Sequence, residues 1–274
     1  MNETPTEFRM PHITDVAWCP GCGSNVLQKA IHSALHESKI ETKELVVLSA
    51  RDLTAKTLHD RNANIGKEHH DRSHSSKLGV KLSDKKLVVI VHPGDANMPG
   101  DGDNYFLHAL RISANVTVIV HNNMLCNLNN AQASLALPHC MKTPAQVNGV
   151  KLKSFNPLEV ALAMNARFIA RGLARDVEQT QLMIMDAIAF RGFSVVDICQ
   201  PCVLFNKLNT CLWFKKNIHY LPKGYDATDR NAAFRLAAGS GKLPLGVFFR
   251  KEERELYEEP IGHQYYPALS ATAT

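Results

Sequence analysis

Six apolar, β-branched runs punctuate the chain: ELVVLSA (44–50), KLVVIVH (86–92), VTVIVHN (116–122), RFIARG (167–172), FSVVDIC (193–199) and LGVFF (245–249). Several are apolar throughout, as strands covered on both faces should be. Between them, apolar residues recur at helical spacing over 24–38, 104–113, 157–165, 176–191 and 227–238. The first of these places Val26, Leu27, Ala30, Ile31, Ala34 and Leu35 on one face, with Ser24 as a candidate cap. The last is introduced by DATD (226–229), a capping sequence ahead of RNAAFRLAA. This alternation predicts an α/β fold, a mostly parallel sheet flanked by helices. The polar, irregular stretch 51–85 reads as a long loop followed by a short helix, and loops of that length are usually functional or mobile. One domain is expected over 1–250, with 251–274 a C-terminal tail lying on a partner or in solvent. Neither repeats nor low-complexity segments interrupt the pattern.

Composition narrows the function. Of the 274 residues 45% are hydrophobic and 21% charged, which suits a globular domain with a large core. Lys and Arg number 31 against 26 Asp and Glu, and they are scattered, so no basic stripe calls for nucleic acid. No apolar run approaches the ~20 residues of a membrane span. MNETPTEFRMPH lacks the apolar core of a signal peptide, and a cytoplasmic location is expected. In that compartment seven cysteines argue against a disulfide framework and for metal or cluster ligation. Cys19 and Cys22 form a C-x-x-C with Gly21 and Gly23 beside them, and glycines let backbone amides turn toward cluster sulfurs. Two small buried hydrophobes, or half of a four-ligand zinc site, are the alternative readings of the same pair.

Two strand ends carry polar chemistry. KLVVIV runs into HPGDANMPGDGDN (92–104), and VTVIV into HNNMLCNLNNAQ (121–132). Ligands of open parallel sheets sit beyond the carboxyl ends of strands. Asp95 precedes Asn123 by 28 residues, so one strand–helix–strand unit brings both oxygens to one point. One carboxylate, one amide oxygen and a backbone carbonyl suit Mg²⁺ holding a diphosphate. Either segment alone reads as a polar turn.

WCPGCGSNVLQKAIHSAL (18–35), the Gly-Asp and Asn-Asn strand ends, FNPLEVALAMNARFIARG (155–172), GFSVVDICQPCVLFN (192–206), and DATDRNAAFRLA with LPLGVFFRKEERELYEE (226–259) together resemble the β subunit of 2-oxoacid:ferredoxin oxidoreductases. The resemblance runs from about Trp18 to about Glu259. It implies a thiamine diphosphate-binding fold holding the diphosphate half of the cofactor site, Mg²⁺ and a [4Fe–4S] cluster. It also implies an α subunit, in a heterodimer or a dimer of heterodimers, that supplies the other half. The implied reaction is oxidative decarboxylation of a 2-oxoacid to an acyl-coenzyme A and carbon dioxide, with electrons passing through the cluster to ferredoxin.

Carried over residue by residue, the resemblance makes Cys19, Cys22 and Cys202 cluster ligands. Asp95, Asn123 and the Leu125 carbonyl become the magnesium ligands. Gly94, Asn97 and Leu128 fall in the cofactor-binding turns, and His70 and Arg72 stand where the family's His-Gly-Arg lies near the cofactor.

The chain departs from the family at four places. SARDLTAK (49–56) replaces a Gly-Ile-Gly-Cys turn, with Leu53 at the position of a ligand cysteine. Gly-Asp-Gly-Asp has become Gly94-Asp95-Ala96-Asn97, although a second copy stands at 100–103. Asp71 replaces the glycine of His-Gly-Arg, and MLCNLNNAQ replaces a Tyr-Gly-Leu-Thr run. Asp52 or Cys199 is the candidate fourth cluster ligand; a labile, three-iron or absent cluster is the alternative. Asp101 lies only 22 residues before Asn123 and beyond the strand end, so Asp95 is the expected ligand. Two rival functions remain: a cluster-free thiamine diphosphate-dependent decarboxylase subunit, and a catalytically degraded paralogue with a structural role.

Overall fold

The computed structural model describes residues 19–49, 64–67, 79–95, 103–126, 132–252 and 256. The chain opens with α1 (Gly23–Glu37) and β1 (Leu45–Ser49), followed by β2 (Asn64–Lys67), β3 (Val88–His92), α2 (Asp103–Ile112) and β4 (Val116–Asn122). After the small hairpin β5 (Leu125–Cys126) and β6 (Gln132–Ala133) come α3 (Pro157–Ala163), β7 (Phe168–Leu173), α4 (Val177–Ala189) and β8 (Ser194–Cys199). The chain continues through α5 (Cys211–Asn217), β9 (Ile218–Tyr220), α6 (Arg230–Ala238) and β10 (Leu243–Arg250). Eight strands form one sheet in the order β2-β1-β3-β4-β8-β7-β10-β9. Among the described residues of this sheet the β10–β7 pair is antiparallel and the other pairs are parallel. The expected mostly parallel sheet is therefore present, and each of the six apolar runs forms a strand in it.

Side-chain alternation along those strands divides the core. Val89, Val91, Val118, Val120 and Val195 pack with Phe106, Leu158, Leu162 and Phe248 on one face. Ile90, Ile119, Val196 and Ile198 pack with Leu27, Ile31 and Leu35 of α1 and Ile184 of α4 on the other. Because every central strand is covered twice, its only open positions are its ends, and the carboxyl ends of β3, β4 and β8 lie side by side.

Several elements depart from the pattern-based expectation. β2 falls inside the stretch read as loop; NIGK is too short and too polar to register as an apolar run, and pairing with β1 supplies what its side chains do not. A short helix does occupy 79–83. Three more brief elements escape the pattern: the hairpin β5–β6, whose strands pair with each other, α5, capped by Thr210, and β9, which pairs with β10. Ser24 is not the cap of α1. The helix begins at Gly23 behind Cys22, with no side-chain cap, and Ser24 is buried in its first turn. Close docking explains the early start, since a Cβ on Gly23 would sit 2.8 Å from Gln200 Cβ. Asp229 does cap α6, accepting from the Ala232 amide, but the helix starts at Arg230 rather than at 227. The start of the expected tail is anchored: the Lys251 amide bonds the Arg167 carbonyl at 2.9 Å, and Leu256 is buried. No helix among the described residues is long and apolar enough to cross a membrane.

Candidate functional site

β3 ends in His92-Pro93-Gly94-Asp95. Pro93 has no amide hydrogen to donate, but its carbonyl accepts from the His121 amide at 2.9 Å. The next residue, Gly94, forms a parallel bridge with His121, so the two chains leave the sheet together. Asp95 is only 3% exposed, and its Oδ2 accepts a 2.6 Å hydrogen bond from Ser134 Oγ.

On the neighbouring strand end, Asn123 is also buried, and its Oδ1 accepts from the Leu125 amide at 2.9 Å. That turn bends through Met124, whose φ of 63° is left-handed. The Ser134 amide closes the turn on the Met124 carbonyl at 3.2 Å, and Asn206 Nδ2 reaches the Asn123 carbonyl at 3.4 Å. Asp95, Asn123, Leu125 and Ser134 thus belong to one hydrogen-bonded knot at the top of the sheet. A buried carboxylate beside an amide oxygen and turn carbonyls is an all-oxygen donor set of the kind a hard divalent cation takes. Among the described residues no cluster of three His, Cys, Asp or Glu side chains is placed to hold a metal, and an amide and a carbonyl lie outside such a count.

Beneath the knot lies a buried ion pair. Arg171 Nε on β7 donates to Asp197 Oδ2 on β8 at 2.9 Å, and Asn122 Nδ2 on β4 donates to the other carboxylate oxygen at the same distance. Arg171 also lies 5.6 Å from the centre of the Phe248 ring. Three strand ends are therefore cross-linked directly below Asn123. The sequence pattern singles out none of these three residues, nor Ser134 or Asn206. Arg171 and Asp197 do leave a signal, each being a charge inside an otherwise apolar strand; Ser134 leaves none.

The second cluster of interest lies at the start of α1. The Cys22 amide bonds the Cys19 carbonyl at 3.0 Å in a tight turn through Gly21, whose φ is 77°. Gly23 docks on Gln200 and Pro201, which brings the turn against the segment carrying Cys202. Burial raises the Cys22 thiol pKa, and Cys202 and Cys19 lie near enough to push it further, while hydrogen bonding from Ser24 opposes both. The Phe205 amide is directed at Cys202 Sγ, 3.5 Å away. Cys199 differs in kind. It is 1% exposed, packs among Met124, Leu137, Leu173, Phe214 and Leu245, and burial together with Asp197 pushes its thiol up to about 12. Asp52, His70, Arg72, Asn97, Asp101 and Leu128 lie outside the described residues.

Comparison with known proteins gives these sites a context. Residues 54–198 match the family "Thiamine pyrophosphate enzyme, C-terminal TPP binding domain", and residues 202–264 match the C-terminal family of the pyruvate ferredoxin oxidoreductase beta subunit. The chain is 31% identical to the 2-oxoacid:ferredoxin oxidoreductase subunit beta of a Sulfolobus species, over 89% of this chain and 85% of that one. It belongs to the family of 2-oxoacid:ferredoxin oxidoreductase β subunits. A second member, from Aeropyrum pernix, is 32% identical over 90% of this chain and 84% of its own length. The fold is shared with a solved structure of "2-oxoglutarate:ferredoxin oxidoreductase from Magnetococcus marinus with 2-oxoglutarate, coenzyme A and succinyl-CoA bound". That likeness has a TM-score of 0.87 at 22% identity and covers 100% of this chain and 97% of the other. Within the thiamine diphosphate-binding region of a β subunit, the two strand ends occupy the position where an open α/β sheet takes its ligand.

Proposed function

We propose that this chain is the catalytic β subunit of a cytoplasmic 2-oxoacid:ferredoxin oxidoreductase that converts a 2-oxoacid and coenzyme A to an acyl-coenzyme A and carbon dioxide. The observation that carries the reading is the hydrogen-bonded knot joining Asp95 to the Asn123 turn inside a thiamine diphosphate-binding region. Thiamine diphosphate supplies the nucleophilic carbon that lets a 2-oxoacid lose carbon dioxide, and a [4Fe–4S] cluster accepts electrons singly for ferredoxin. The chain's own part is to bind and orient. Asp95, Asn123 and the Leu125 carbonyl would hold Mg²⁺, and Gly94, with Asn97 and Leu128 beyond it, would line the diphosphate. His70 and Arg72 would stand near the cofactor's reactive end. Cys19, Cys22 and Cys202 would ligate the cluster. The burial of Cys199 in the core supports Asp52 over it as the fourth ligand, since carboxylate can replace thiolate at a cost in affinity.

The other half of the cofactor site would come from an α subunit. Exposed Leu204, Phe205, Leu208 and Leu212, which follow directly after Cys202, support a face that a partner covers. Residues 1–250 would form the catalytic domain, with 251–274 a C-terminal tail. One observation favours a second reading: Leu53 at the place of a ligand cysteine is what a cluster-free decarboxylase subunit would show.

The test is anoxic co-purification with an α subunit, followed by assay of ferredoxin reduction. Reduction that requires both a 2-oxoacid and coenzyme A supports the proposal. Release of an aldehyde without ferredoxin reduction supports the second reading and contradicts the first.

A further inference from the structure

The core face beneath α1 contains two histidines whose side chains nothing above employs. His92, the last residue of β3, and His121, near the end of β4, are both fully buried. His92 Nδ1 and His121 Nε2 are 3.2 Å apart, with the rings inclined at 71° and their centres 5.5 Å apart. We infer that this imidazole–imidazole hydrogen bond is a positioning device that fixes the spacing of the Asp95 and Asn123 strand ends for Mg²⁺ and diphosphate. The inference rests on the reading of those two residues as the metal site.

The argument begins with the backbone. The β3–β4 ladder runs from Val89↔Val116 to Val91↔Val118, and in the same register the next bridge is Gly94↔His121. Between them stands Pro93, which has no amide hydrogen. The ladder lapses at His92 and Pro93 and resumes where the His121 amide donates to the Pro93 carbonyl, and the side-chain bond from His92 to His121 adds a second tie across that gap. Across the 3.2 Å contact the N–H of one imidazole meets the lone pair of the other, a directional bond that an apolar contact does not provide.

Packing alone does not account for the pair. His92 Nε2 and His121 Nδ1 are buried without a hydrogen-bond partner. Two half-satisfied imidazoles stabilise a core less than apolar side chains of the same size. What they add over such residues is a directional tie. The groups facing it are on α1, where His32 Nε2 lies 3.4 Å from Gln28 Nε2 on the helix that starts at the Cys19–Cys22 turn.

The experiment uses the assembled αβ complex, stripped of cofactor with a chelator and titrated with Mg²⁺ and thiamine diphosphate. The double variant His92→Leu/His121→Phe should unfold at or above the wild-type temperature yet bind about tenfold more weakly, the scale of one buried hydrogen bond. KM for thiamine diphosphate should rise with kcat at saturation preserved. His121→Gln, whose amide can remake the tie, should recover most of the affinity. His121→Phe alone gives the same reading if the double variant does not fold. Wild-type affinity in the variants, in a complex where Asp95→Ala abolishes binding, overturns the inference alone. A silent Asp95→Ala overturns the metal-site reading and the inference with it.

Discussion

Ser134 Oγ donates to Asp95 Oδ2 at 2.6 Å, joining residues 39 apart in sequence. The hydroxyl fixes the rotation of a buried carboxylate and so determines where its oxygens point. Ser134→Ala should leave the folded state nearly as stable as wild type. Its affinity for Mg²⁺ and thiamine diphosphate should fall about three- to tenfold, the value of one charge-assisted hydrogen bond shared with the metal. Titration calorimetry on the assembled complex checks this, and unchanged affinity would remove Ser134 from the site.

The Arg171–Asp197–Asn122 link should behave as a structural unit. Asp197→Leu leaves a buried guanidinium without its counter-charge and should cost about 3–5 kcal/mol, measured by urea denaturation. Arg171→Met/Asp197→Leu should recover most of that loss, because neither charge remains to be compensated. A single variant as stable as wild type would mean that water reaches the pair.

The three cysteines at the start of α1 and after β8 should make the protein brown when it is prepared without oxygen, with about four irons per chain if the cluster is tetranuclear. Cys19→Ala should strip the iron, and Cys211→Ala, on α5, should not. In iron-free protein Cys199 should resist alkylation at neutral pH until the chain unfolds, since its thiol is buried and held at about 12. A preparation containing zinc and no iron would contradict the cluster.

Acidification should destabilise the fold through the two buried histidines. Their folded-state pKa values lie below the ordinary 6.5, that of His121 at about 3, so the unfolded chain binds protons that the native chain refuses. Their contribution to stability is complete above pH 6.5 and is lost as pH falls from there toward 3. Each group steepens the loss by up to about 1.4 kcal/mol per pH unit. Urea titrations at pH 7, 6 and 5 should show this slope in the wild type and a flatter one in His92→Leu/His121→Phe. Equal slopes would mean that the rings are not buried as described.

The central sheet is legible in the sequence because its strands are covered on both faces, which writes them as unbroken apolar runs. β4 matches its run from Val116 to Asn122. β2, the β5–β6 hairpin and β9 are not legible, because their residues are short polar or mixed stretches held by backbone pairing, β2 with β1, β9 with β10 and the two hairpin strands with each other. The strand-end pair Asp95 and Asn123 is legible from topology. Ser134 and Asn206, which hold it in place, are not, because each reaches it from a separate element, and the bond between His92 and His121 is not, because no local spacing records that two neighbouring strands bring those side chains together. Ser24 misleads for a related reason. A good capping residue lies in the first turn, but close docking of Gly23 on Gln200 accompanies a helix whose cap is Cys22, two residues before Ser24.

The most direct test of the site is calorimetric titration of the assembled αβ complex with Mg²⁺ and thiamine diphosphate, comparing Asp95→Ala with Asp101→Ala. Losing the one carboxylate of a hard-cation site should weaken binding about a hundredfold or more. Asp95→Ala should therefore show no measurable binding while remaining folded, and Asp101→Ala should bind nearly as wild type. The reverse result, with Asp101→Ala crippled and Asp95→Ala unaffected, would place the metal on the second Gly-Asp-Gly-Asp and contradict the assignment of the strand ends.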